Sequence, residues 1–195
     1  MSKSTYLSDD PVFGSDTHTL MLIGHQSLQL LRVAVQTNDR VFDVPTPLAA
    51  ARIEYRDLMH EIQADHPDRR STDRFGLNAM GDKRGHGWIQ AAGKRKLVVA
   101  GLWAEVCLSM PVMSALADEY DVYIVSYASG GGSTEAHELA VRRMIHAGAR
   151  PVSLIAYLCE LQRDRANADT AEQLASLFVR QGGCLGQGER WESPL

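Results

Sequence analysis

The chain has 195 residues, of which 45% are hydrophobic and 23% charged, with a formal net charge of −4. That balance suits one soluble α/β-sized domain with a sizeable core. It excludes the basic footprint of a nucleic-acid partner, and no apolar run reaches the roughly 18 residues of a membrane span.

Residues 1–18 are polar, contain Pro11 and Gly14, and read as an N-terminal arm. Met1 to Tyr6 lacks the apolar core of a signal peptide. Three unclustered cysteines argue against a disulfide framework, and the expectation is a cytoplasmic protein. Residues 19–23 form a short continuous apolar run, the pattern of a parallel strand buried on both faces. Residues 25–35 read as a helix with Leu28, Leu31 and Val35 on one stripe. The stretch 41–50 offers a second strand interrupted by Pro45 and Pro47, 52–64 a helix, and 66–87 a loop rich in Asp, Arg and Gly. A short helix over 88–92 runs to Gly93 as its C-cap.

The pattern then sharpens. A strand over 96–102 precedes a helix over 105–118 that is apolar on nearly all sides. A strand follows at 122–125, then Gly130-Gly131-Gly132-Ser133 and a helix over 134–147 stopped by Gly148. An edge strand over 151–155, helices over 156–165 and 170–181, and a loose Gly-rich tail over 182–195 complete the chain. Strands alternating with helices predict a parallel sheet with helices on both faces and ligands beyond the carboxyl ends of the strands.

Cys107 stands at the first turn of the helix that follows strand 96–102. Unpaired N–H groups and partial positive charge gather there, favouring a thiolate and able to hold an oxyanion. A free cysteine also packs well as a small hydrophobe. His25 follows the first strand and reads either as a ligand or base, or as a loop hydrogen-bonder. Cys159 is expected buried and inert on its helix, and Cys184 exposed in the tail. The seven histidines show no metal-ligand spacing, so no metal and no cofactor is expected. The triple glycine lacks a phosphate-loop fingerprint and reads as a plain turn.

The run Gly101-Leu102-Trp103-Ala104-Glu105-Val106-Cys107, with Ala128-Ser129-Gly130-Gly131, Glu135-Ala136-His137-Glu138 and Glu160-Leu161-Gln162-Arg163-Asp164, resembles the isochorismatase-like cysteine hydrolases, especially their YcaC-like branch. Leu22-Ile23-Gly24-His25-Gln26 is similar to that family's first strand, and Asp73-Arg74 with Asn78-Ala79 to its middle motif. The resemblance implies a three-layer sandwich with a central parallel sheet. It implies an aspartate–lysine–cysteine triad attacking amides or related bonds, with Cys107 as nucleophile. It also implies a non-proline cis peptide at Leu102–Trp103, and an oxyanion hole from the N–H groups of Trp103 and Cys107.

Four departures stand out. Gly24 occupies the place of the triad aspartate, and the nearest acids in sequence, Asp16 and Asp39, are not at the strand end. Arg74 stands where the lysine is expected; it can stabilise an anion but does not readily give up a proton. Tyr127 replaces an aspartate, and the stretch between Asn38 and Pro45 is short, as though a helix were missing. The expected function is therefore a hydrolase acting on a small-molecule amide through a thioester at Cys107. Arg74 would supply charge, and His25 and Asn78 would serve substrate binding. The alternative is a family member without catalysis, retained for binding or assembly. A flavodoxin-like nucleotide binder fits the fold alone. A homo-oligomer is expected, from the apolar 105–118 helix and the family's habit.

Overall fold

The structure is a computed structural model and describes residues 13–14, 17–23, 48–53, 72–74, 76–164, 166 and 168–181. Its strands are β1 (His18–Ile23), β2 (Leu48–Ile53), β3 (Thr72–Arg74), β4 (Lys96–Gly101), β5 (Asp121–Val125) and β6 (Arg150–Val152). They form one parallel sheet in the order β3-β2-β1-β4-β5-β6. The helices are α1 (Lys83–Ala92), α2 (Ser109–Ala117), α3 (Thr134–His146), α4 (Leu154–Gln162) and α5 (Ala168–Gln181).

The period of two along a strand sorts side chains into two cores. Leu20 and Leu22, Val98 and Ala100, and Tyr123 and Val125 point to one side, where Tyr157, Leu158 and Leu177 of α4 and α5 cover them. Met21 and Ile23, Leu97 and Val99, and Val122 and Ile124 point to the other, against Ile89 of α1, Val112 of α2 and Met144 of α3. Every residue of β1 and β4 is buried, which is why Leu20–Ile23 and Leu97–Gly101 are apolar without alternation, while His18, Thr19 and Lys96 are buried polar residues at the strand starts. The result is the expected α/β three-layer sandwich with a central parallel sheet and helices on both faces.

Helix ends follow local chemistry. Asp82 accepts the N–H groups of Arg84 and Gly85 at the start of α1, which stops at left-handed Gly93 (φ 63°). Ser133 caps α3 and Ser153 caps α4 through hydroxyls that accept the N–H of the third residue on.

Several boundaries differ from expectation. The second strand is Leu48–Ile53, past both prolines, so Arg52 and Ile53 belong to a strand rather than a helix; residues 54–64 lie outside the described residues. The supposed loop 66–87 holds β3, a 3₁₀ turn (Ala79–Gly81) and the first half of α1. Polar composition hid α1, since only Gly85 and Ile89 of it are buried. The polar arm contributes to the core: Phe13 is 1% exposed and stacks edge-on with Tyr123 and Tyr157. His18 begins β1, with Nε2 at 2.6 Å from the Tyr157 hydroxyl. The expected helix 25–35, the short region between Asn38 and Pro45, and the tail 182–195 with Cys184 lie outside the described residues.

Candidate active site

Sheet order reverses between β1 and β4: the chain steps outward to β2 and β3 on one side, and to β5 and β6 on the other. A crevice opens beyond the carboxyl ends at such a point. Leu102 donates its N–H to the carbonyl of Ile23 at 2.9 Å, so the ends of β1 and β4 are joined there. The Leu102–Trp103 peptide is cis, as the family resemblance implied.

A π-helical turn, Ala104–Leu108, follows and runs into α2. Its wide winding is visible in the bond from the Leu108 N–H to the Trp103 carbonyl at 3.2 Å; single π turns recur at functional sites. Ser109 holds the turn from below, its hydroxyl donating to the Ala104 carbonyl at 2.8 Å. Cys107 sits in this first turn and is 2% exposed. Leu108 is fully buried against Gly101, where an added Cβ would lie 3.2 Å from the Leu108 Cβ.

The loop after β5 closes over the turn. Gly130 donates to the Gly101 carbonyl at 3.2 Å and accepts from the Ala104 N–H at 2.6 Å. Gly132 donates to Glu105 Oε1 at 2.8 Å. Ser129 braces the loop base, its hydroxyl donating to the Val125 carbonyl and accepting the Gly101 N–H. Trp103 lies between these anchors, and its own N–H has no hydrogen-bond partner among the described residues.

Trp103 stands at the N-terminal cap of the turn, and Cys107 lies within it. Arg74 ends β3 on the same carboxyl edge of the sheet, three strands from β4. Asn78 has both polar ends engaged: Oδ1 accepts the Met80 N–H at 3.0 Å and Nδ2 donates to Ser114 Oγ of α2 at 2.9 Å. Gly24 and His25 lie outside the described residues, Gly24 following the last residue of β1 in the chain. Cys159 is corrected: it is exposed, on α4. It faces outward because Tyr157 and Leu158 take the buried positions of that helix. Partial desolvation, and then the Glu160 carboxylate, push its thiol up.

Sequence reasoning missed Glu105; the triple glycine does lie in the strand-to-helix connection between β5 and α3, as read from the sequence, but it has a further role. An added Cβ on Gly130 would meet Leu102 Cδ2 at 2.7 Å, and one on Gly131 would meet His137 Cβ at 2.9 Å. Besides lying in the turn, Gly130 and Gly131 permit this close approach. The available signal was the run of three together with a carboxylate inside the nucleophile motif.

Among the described residues, no three His, Cys, Asp or Glu side chains group as metal ligands, and no helix is long and apolar enough to cross a membrane. A model of the isochorismatase domain matches residues 32–156, well over half of the chain. The probable hydrolase YcaC of Escherichia coli is 35% identical over 122 residues, 62% of this chain. That alignment spans 58% of the relative's own length. The structure resembles that of the E. coli YcaC gene product, described as an octameric hydrolase of unknown specificity, with a TM-score of 0.82 and 26% identity over 93% of this chain and 96% of that one. YcaC from Pseudomonas aeruginosa, solved with hexane-2,5-diol and covalent acrylamide, shares the fold at a TM-score of 0.82 and 22% identity over 94% and 98% of the two chains. The strand-turn-helix around Cys107, the parallel sheet that carries it and the matched domain agree, and the chain belongs to the isochorismatase family.

Proposed function

We propose that this protein is a cysteine hydrolase of small amides or related C–N substrates, working through a thioester at Cys107. The Cys107 thiolate attacks the carbonyl carbon, forming a C–S bond and an oxyanion held by the N–H groups of Trp103 and Cys107. Collapse breaks the C–N bond, and the amine leaves with a proton. Water then attacks the thioester, the C–S bond breaks, the acid departs and the thiol is restored. Arg74 supplies positive charge toward the developing anion. Asn78 shapes the substrate side by tying the 3₁₀ turn to α2, and His25 contacts substrate or takes the proton that an aspartate at Gly24 would take.

One observation carries this reading. A cysteine occupies the first helical turn at the β1–β4 crevice, four residues after a backbone N–H without a partner among the described residues. No metal or other cofactor takes part. The protein acts in the cytoplasm, as one domain over residues 1–195, and as a homo-oligomer like the octameric E. coli relative.

Acrylamide labelling, hydrolysis of a panel of small amides, and the variant Cys107→Ser test the proposal together. Adduct formation at Cys107, with hydrolysis lost in Cys107→Ser, is the expected outcome. An inert Cys107 in folded protein sinks the reading. A second reading, a binding or assembly protein of the same family, is favoured by Gly24 in place of the aspartate. Loss of general-base catalysis costs about 10²–10⁴-fold. Binding of amides without turnover would support it.

A further inference from the structure

Glu105 carries the only acid of the nucleophile turn. Its Oε1 accepts the Gly132 N–H at 2.8 Å, while Oε2 is buried without a hydrogen-bond partner among the described residues. An added Cβ would lie 3.0 Å from Oε2 at Gly131, and 3.0 Å from Oε1 at Gly132. The glycine loop therefore lies directly on the carboxylate.

Glu105 is half-buried, with Oε2 shut away from solvent and unpaired among the described residues, and burying a polar atom without a partner costs stability that an apolar side chain would not. The group is better explained by what its bond holds in place. Gly130 is already bonded on both sides of Trp103, to Gly101 and to Ala104. The Glu105–Gly132 bond adds a third tie, two residues further along the loop and two residues before Cys107. It also commits Oε1 to the loop.

We infer that Glu105 is a positioning residue for the Cys107 chemistry: its carboxylate clamps the Gly130–Gly132 loop onto the Ala104–Leu108 turn and so holds the Trp103 and Cys107 N–H groups and the thiol in register. This inference rests on the hydrolase reading above. The clamp acts through an acceptor oxygen at a fixed place, not through the charge.

The test is the rate of acrylamide addition to Cys107 in the full chain, mapped by peptide mass spectrometry between pH 6 and 9, with Cys159 labelling as the internal control. Glu105→Ala is expected to slow Cys107 about tenfold, the upper end of what one ordinary hydrogen bond is worth. Glu105→Gln, which keeps an acceptor, recovers most of that rate with the midpoint of the pH profile in place. Gly131→Ala pushes the loop off with Glu105 intact, and is expected to slow Cys107 in the same way. It serves as the deciding variant if Glu105→Ala does not fold. Cys107 labelling at the parent rate in Glu105→Ala or in folded Gly131→Ala overturns the inference while leaving the hydrolase reading standing. A shifted midpoint in Glu105→Gln overturns it by making charge the acting property. A parent protein whose Cys107 does not react at all overturns the hydrolase reading, and the inference with it.

Discussion

Leu102 donates its backbone N–H to the carbonyl of Ile23 at 2.9 Å. This bond joins the last residue of β1 to the first residue beyond β4, and it does so where the sheet order reverses. Trp103 and Cys107 follow Leu102, and Gly24 follows Ile23 in the chain.

A carboxylate restored at that junction is expected to raise activity. Gly24→Asp places an acid directly after β1, where the family resemblance implies the proton acceptor for the thiol. Hydrolysis of small amides by Gly24→Asp is expected to exceed the parent's by about 10²-fold, the low end of general-base catalysis. Steady-state kinetics on matched, folded samples checks it; equal rates refute the missing-base argument.

Crowding the junction is expected to cost stability. In Gly101→Ala the new methyl would lie 3.2 Å from the Leu108 Cβ and 3.4 Å from the Ile23 carbonyl oxygen. Leu108 is fully buried and Ile23 O is backbone, so neither yields easily. The loss is expected at about 1–3 kcal/mol, read by urea denaturation, together with slower labelling of Cys107. A parent-like midpoint in urea contradicts the packing argument.

The pH dependence of labelling should separate the two described cysteines. Partial desolvation, then Glu160, raise the Cys159 thiol above its ordinary value. At pH 8 it therefore holds less thiolate than an ordinary thiol, and its alkylation rate climbs only as pH rises further. Glu160→Gln removes the second cause, lowers that value and raises the Cys159 rate at pH 8, by about twofold. A lower rate in Glu160→Gln would contradict the assignment of cause.

Association is expected from the surface as well as from the octameric relative. Met110 of α2 is 42% exposed, and Leu139 of α3 is 56% exposed. Apolar side chains left on the outer helices mark an interaction face when they are contiguous. Sedimentation velocity at micromolar concentration is expected to give a homo-oligomer; a stable, soluble monomer refutes it.

The amino-acid sequence by itself determined the strands that lie at the centre of the sheet. Residues 20–23, 97–102 and 122–125 are mainly apolar without alternation, the pattern of a parallel strand covered on both faces. It also determined the helix stops at Gly93 and Gly148, both of which take positive φ, and the placing of Cys107 at a helix start. Chain order alone puts a cysteine after a strand and before a helix. Tertiary structure decided the rest. β3 and β6 are three residues long, too short for any periodicity; they are strands because a neighbour offers hydrogen bonds. The polar arm holds Phe13, which is buried only because Tyr123 and Tyr157 meet it from segments more than a hundred residues away. Asn78 caps its turn through a local bond from the Met80 N–H, but its Nδ2 is engaged only because Ser114 of α2 lies within reach. Glu105 and the triple glycine meet only when the loop after β5 folds back over the turn after β4. Local chemistry sets what each segment can be; contacts between distant segments set which of its groups remain available for reaction.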